Sequence, residues 1–152
     1  MARFILVLGD SGSGKTTAWR NIPSNEAFIL SPNTKPLSFI GHKKMYQPFD
    51  SGTGQGNIIK GDELTSIPKS ITYLNSAPHI KYILVEDFTH FMNACTLGEA
   101  FRKKATGDNA FKRWEDFGCA IRDILCGPYV QSLRDDLTIV INHHTETDMW
   151  AA

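Results

Sequence analysis

The chain has no run of about 18 or more apolar residues, so no segment reads as a membrane-spanning helix. The apolar stretch Phe4 to Leu8 is too short for the core of a secretory leader, and the expected setting is soluble and cytoplasmic. Cysteine is scarce. Cys95, Cys119 and Cys126 are odd in number, form no CxxC pair and have no histidine at metal-ligand spacing, which argues against a disulfide framework and a zinc site. Net charge is absent too: 16 basic residues balance 16 acidic ones, so any site for a polyanion must be local. There is no internal repeat, heptad pattern or low-complexity tract.

What is present is enough for one globular unit spanning residues 1–152, since 41% of the 152 residues are apolar. Arg3 to Leu8 is a nearly continuous apolar run closed by Gly9, which predicts a central strand buried on both faces. A short helix is expected from Lys15 to Asn21, stopped by Pro23, and a second strand from Ala27 to Leu30. Residues 35–61 read as a long turn-rich surface excursion with room for a short hairpin. Ser66-Ile67-Pro68 opens a helix reaching about Asn75, and Tyr82 to Val85 is a second buried-strand pattern, ending in Glu86-Asp87. Residues 98–108 suggest a frayed helix or loop. From Asn109, the apolar stripe Phe111, Trp114, Phe117, Ile121, Ile124 and Leu125 predicts a helix packed on the sheet until Gly127-Pro128. Leu137 to Ile141 is the last buried-strand pattern, ending in Asn142-His143-His144. Alternating strands and helices predict an α/β fold, a three-layer α/β/α sandwich around a mainly parallel sheet. Ligands of such sheets sit at the carboxyl ends of the strands, where the polar clusters after Leu8, Val85 and Ile141 all fall.

The first of those clusters is specific. Gly9-Asp10-Ser11-Gly12-Ser13-Gly14-Lys15-Thr16 matches the P-loop pattern in full, between a strand and a helix-competent segment. The pattern predicts binding of a nucleoside triphosphate, ATP with Mg²⁺: loop N–H groups facing phosphate, Lys15 between β- and γ-phosphate, the Thr16 hydroxyl on the metal, and Thr17 near the α-phosphate. Glu86 and Asp87 are the candidate Walker B acids, one holding Mg²⁺ and the other orienting water, with the division between them open. Asn142 is a candidate γ-phosphate sensor. His143 and His144 are adjacent, so they face opposite ways along a strand, and surface or packing roles come ahead of catalysis for both. Arg102, Lys103, Lys104, Lys112 and Arg113, interleaved with Phe101, Phe111 and Trp114, are either a contact for single-stranded nucleic acid or a solvated helix face with its aromatics turned to the core. His42-Lys43-Lys44-Tyr46 is a weaker group of the same kind.

The P-loop, the segment Lys35-Pro36-Leu37-x-Phe39-x-Gly41-x-Lys43-Lys44-x-Tyr46, the strand end Glu86-Asp87-Phe88, and Leu133-Arg134-Asp135-Asp136-Leu137 together resemble the small phage-encoded RecA-like ATPases of single-strand annealing and recombination. The resemblance spans most of the chain, and the P-loop is its specific element. It implies a RecA-like core with an extra strand between the P-loop strand and the Walker B strand. Also implied are ATP hydrolysis, Gly9 to Thr16 as nucleotide loop, and Glu86-Asp87 in place of the usual aspartate pair. Single-stranded DNA would be held by loops near Asn93 to Asp108 and from His143 onward. The resemblance further implies a homo-oligomer with ATP at subunit interfaces, in a host cell's cytoplasm. Such a core continues past the last strand seen here, so a truncated chain, a shorter fold or a partner's edge is implied. The alternative is a P-loop kinase for a nucleotide or small molecule; a nucleotide-dependent binding switch is the third reading. Asn142-His143-His144-Thr145 is not the guanine-reading motif, which disfavours a GTPase.

Overall fold

The computed structural model describes residues 1–32, 36–104, 107 and 109–145. Lys35, the end of the 98–108 segment and everything from Glu146 onward, parts of the expected DNA loops among them, lie outside the described residues. Five strands form one sheet: β1 (Arg3–Gly9), β2 (Ala27–Ser31), β3 (Ile58–Lys60), β4 (Tyr82–Val85) and β5 (Thr138–His144). All pairings are parallel, in the order β1-β5-β4-β2-β3. β5 lies between β1, the strand that leads into the glycine-rich loop, and β4, the strand that leads to Glu86 and Asp87.

Helices are α1 (His42–Met45), α2 (Ser66–Asn75), α3 (Phe88–Leu97), α4 (Glu99–Lys103) and α5 (Asn109–Cys126), with short 3-10 turns at Thr17–Asn21, Ser24–Glu26 and Pro128–Ser132. Period-2 alternation divides the strand residues between two cores. Phe28, Leu30, Ile83, Val85, Ile139 and Ile141 face one side, packing with Ile67, Ile71 and Leu74 of α2, Phe88 and Phe91 of α3 and Ile124 of α5. Ala27, Ile29 and Leu84 face the other, against Trp19, Leu37, Phe39 and Tyr46. Cores on both faces of the sheet make an α/β protein compatible with a three-layer arrangement. Each fully buried Ile or Leu stabilises it by roughly 1.5–3 kcal/mol. Helix α2 illustrates the local logic: its buried residues fall at i, i+4 and i+7, one stripe of a 3.6-residue period. No helix among the described residues is long and apolar enough to cross a membrane.

Three expectations are corrected. Among the described residues β1 lies at the edge of the sheet and not at its centre: Ile5, Leu6 and Leu8 are 40%, 56% and 59% exposed. An apolar run specifies a strand, but its rank in the sheet depends on pairings made elsewhere, and among the described residues only β5 pairs with β1. Residues 36–61 are not merely a surface excursion. Leu37, Phe39, Tyr46 and Ile58 are buried in the second core, and β3 extends the sheet beyond β2. The expected hairpin shrinks to a bridge between Asp50 and Gln55. The stripe on α5 packs at Phe117, Ile121 and Ile124, while Phe111 is 89% and Trp114 52% exposed. As the sequence pattern indicates, Asn142, His143 and His144 are the last residues of β5.

The Leu133-to-Leu137 segment has a structural use. Leu133 and Leu137 are buried, and the Arg134 guanidinium donates to the carbonyls of Pro78 (3.2 Å) and Ile80 (2.6 Å), tying the entry of β5 to that of β4.

Candidate functional site

β1 runs into the loop through Gly9, where a Cβ would come within 2.8 Å of Ser13 Oγ, and the loop then curls through left-handed Gly12 (φ 79°) and Gly14 (φ 89°). The left-handed backbone at Gly12 and Gly14 favours glycine, whereas at Gly9 a side chain would displace only the Ser13 hydroxyl. The segment that follows is a five-residue 3-10 turn, Thr17–Asn21, where the sequence led us to expect a short helix. Pro23, just beyond it, limits its length, and its only buried residue is Trp19.

Lys15 folds back over its own loop. Its Nζ donates to the carbonyls of Gly9 (2.6 Å) and Asp10 (2.8 Å) and to Ser13 Oγ (3.3 Å), and it lies 3.5 Å from His144 Nδ1. The Thr16 hydroxyl donates to Glu86 Oε1 at the end of β4. Asn142 Nδ2 on β5 donates to the other carboxylate oxygen, Oε2, at 2.8 Å. Thr16, Glu86 and Asn142 are all buried, so this chain of two bonds runs through a low-dielectric wall where each partner is expensive to remove. Parallel register explains the meeting: Val7 is opposite Asn142 across β1 and β5, and Val85 is opposite Ile141 across β5 and β4.

Asp87 takes a different direction. It is the one described non-glycine residue with positive φ (52°), a conformation aspartate tolerates, and it ends β4 and precedes α3. Its carboxylate lies 3.3 Å from His144 Nε2. The His144 backbone N–H donates to Thr89 Oγ1 at 2.9 Å, anchoring the end of β5 to α3. His144 therefore stands between the Lys15 ammonium and the Asp87 carboxylate. Period-2 alternation places it on the same face as Asn142 and turns His143 to the opposite face, where its ring lies 6.2 Å from that of Phe88.

A cavity of about 370 Å³ opens here, lined by Ser11 to Thr17, Pro36, Ser38, Glu86 and His144. Asn142 is buried beside Glu86 and is not among the residues lining the cavity, whereas His144, two residues on, is. Neither Asp87 nor the side chain of Asp10, which accepts from the Thr145 hydroxyl, belongs to the lining. His144, Pro36 and Ser38 were missed as site residues. For His144 the signal was its place two residues after Asn142; for the other two there was none, since they reach the cavity through the course of the segment after β2.

The basic cluster is drawn together only in part, and largely neutralised. Lys103 pairs with Glu99 (2.7 Å) and Lys104 with Asp116 (3.3 Å). The Arg113 guanidinium lies 4.8 Å from the Phe101 ring centroid and 5.6 Å from that of Trp114. Arg102 and Lys112 make no ion pair among the described residues. Neither reading of this segment holds throughout: the rings of Phe101, Trp114 and Phe117 meet edge to face, while Phe111 is 89% exposed.

Chemically, a glycine-curled loop with a lysine and two hydroxyls at its end suits an anionic, phosphate-like group. Thr16 Oγ1 and the Glu86 carboxylate form an all-oxygen pair, the donor type of a hard divalent cation. Fold and loop thus define an α/β protein with a complete P-loop sequence at the carboxyl ends of a parallel sheet. No protein-family model and no curated protein matches this chain.

Proposed function

We propose that the chain is a Mg²⁺-dependent ATPase with a RecA-like core that acts on single-stranded DNA in recombination or annealing. The observation that carries the reading is the contact between Thr16 and Glu86, 70 residues apart, at the wall of a cavity lined by the P-loop. Strand order supports it as well, since β5 lies between the P-loop strand and the strand bearing the acids.

In this reading Ser11 to Thr17 embrace the triphosphate and Lys15 leaves its loop carbonyls for phosphate oxygens. Thr16 and Glu86 hold the cation, which when bound would neutralise phosphate charge. Asn142 is a positioning residue that holds Glu86. Asp87, steadied by His144, is the group left to orient the attacking water. DNA contact rests on the resemblance and on Arg102, Lys112 and the exposed rings of Phe111 and Trp114.

The test is phosphate release from ATP with and without single-stranded oligonucleotide, for the unaltered chain and for Lys15→Ala. Release that DNA stimulates, and that Lys15→Ala lowers about 100-fold or more, is expected. ATP turnover indifferent to DNA, in a chain that binds no oligonucleotide, would remove the DNA part. A kinase is the second reading, favoured by Pro36 and Ser38, which bring the segment after β2 to the cavity where a phosphate acceptor would lie. Turnover that appears only with an added nucleoside or nucleotide would select it.

A further inference from the structure

Among the residues of the glycine-rich loop, Gly9 to Thr16, only Asp10 carries negative charge. It sets a carboxylate beside a cavity suited to anions. Its own carbonyl accepts from the Lys15 ammonium at 2.8 Å and from the Ser13 N–H at 3.2 Å. A carboxylate on the same residue is therefore within a side-chain rotation of the cation that phosphate needs. The Asp10 side chain nevertheless stays out of the cavity lining, and its Oδ1 accepts from the Thr145 hydroxyl. Thr145 is brought to that point by the sheet. Gly9 is opposite His144 in the parallel register of β1 and β5, and the N–H of the next residue, Thr145, donates to the Gly9 carbonyl at 3.3 Å. One residue thus holds the entry of the loop by its backbone at Gly9 and by its side chain at Asp10.

We infer that Thr145 is a positioning residue that keeps the Asp10 carboxylate out of the phosphate cradle, and that this carboxylate, once released, competes with phosphate for the Lys15 ammonium. The inference rests on the reading of Gly9 to Thr16 as a nucleotide loop. Its basis is a choice of partner for one carboxylate. Asp10 and Thr145 are both exposed, and an ion pair in water gains little, so a hydroxyl that the sheet already holds in place is enough to decide where the carboxylate points. Without that hydroxyl the carboxylate is left to Lys15 or to solvent. An approaching phosphate then meets a lysine already paired, or a like charge at the mouth of the loop. An asparagine at position 10 can keep the bond to Thr145 and has no charge to release. The end of β5 accordingly sets two charges of the loop at once, Lys15 through His144 and Asp10 through Thr145.

Calorimetric titration of the chain with a non-hydrolysable ATP analogue and Mg²⁺ tests this. Thr145→Val, which exchanges the hydroxyl for a methyl group, should weaken binding about tenfold, whereas Thr145→Ser keeps the hydroxyl and should bind like the parent. Asp10→Asn should bind at least as tightly as the parent, and adding Thr145→Val to it should cost less than about twofold. The penalty of Thr145→Val alone should also shrink as salt is raised, because it is a charge effect at an exposed position. Melting curves report whether each variant folds, and Thr145→Ala repeats the measurement if Thr145→Val does not. A penalty that persists undiminished beside Asp10→Asn overturns the inference, since the threonine then acts on the fold and not on the charge. Binding that depends on Lys15 but is untouched by Thr145→Val overturns the inference alone. No binding by the unaltered chain, or equal binding by Lys15→Ala, overturns the nucleotide reading and the inference with it.

Discussion

Phe4–Leu8 and Tyr82–Val85 are both unbroken apolar runs that end at the candidate site, yet their surroundings are opposite. Ile83, Leu84 and Val85 are fully buried between β5 and β2 with a core on either face, whereas β1 has one neighbour among the described residues and exposes Ile5, Leu6 and Leu8. A run of β-branched and aliphatic residues reports that a strand forms and that something should cover it. It does not report whether the cover comes from within the same sheet.

The sharpest way to break the comparison is to truncate one residue in each strand. Leu84→Ala should cost about 2–5 kcal/mol in urea denaturation, the range for a sealed core cavity. Leu8→Ala, measured where the chain is dilute, should cost less than about 1 kcal/mol because its side chain is already largely in water. Equal costs would mean that β1 is covered in the folded chain.

A second prediction concerns what the two strands support at their ends. Asn142→Ala leaves the buried Glu86 carboxylate without one of its two donors and should lower stability by about 1–3 kcal/mol. It should also reduce any ATP turnover, and the two losses should appear together in denaturation and phosphate-release assays. Unchanged stability would show that Glu86 is not held by Asn142. Smaller still is His144→Ala, which removes the side chain between Lys15 and Asp87. Turnover should fall about tenfold, or ~1.4 kcal/mol, with little change in nucleotide affinity if its task is to steady Asp87. A loss confined to affinity would place it on the phosphates.

The smallest effect lies at the other ends of the same strands. Asp136 accepts a hydrogen bond from Lys81, which, with Arg134 nearby, holds its carboxyl below the usual aspartate range. A depressed folded-state value means that the stabilisation is present above the unfolded-state pKa and is lost as pH falls through the folded-state value. Asp136→Asn should therefore melt slightly lower than the parent at neutral pH, and the two curves should converge in strong acid. A gap that persists there would need a cause other than charge.

Much of the site was legible in advance because its parts are local. Gly9 to Thr16 form one turn whose glycines answer steric demands within the turn, and Glu86 directly ends an apolar run. Helix α2 was read correctly at both ends, since Pro68 and the stripe Ile67, Ile71 and Leu74 act within ten residues. The misreadings share a different character. Phe111 and Trp114 continue a helical stripe, yet both are exposed, because periodicity marks a face of the helix and not which of its turns meets the core. Lys103 and Lys104 look like a basic patch until Glu99 and Asp116 are brought beside them. His144 looked like a surface residue because nothing near it in sequence shows that Lys15 and Asp87 converge on it.

The sequence by itself determined the elements and the chemistry at their ends: which runs become strands, where the glycines let the chain turn, and which side chains carry charge or hydroxyl. These depend on backbone sterics and on periodicity over a few residues. Only the tertiary structure decided the strand order, and with it the edge position of β1, the placing of Asn142 behind Glu86 and of His144 between Lys15 and Asp87. Those outcomes depend on long-range pairing and register, which bring together residues more than fifty positions apart and leave no local trace.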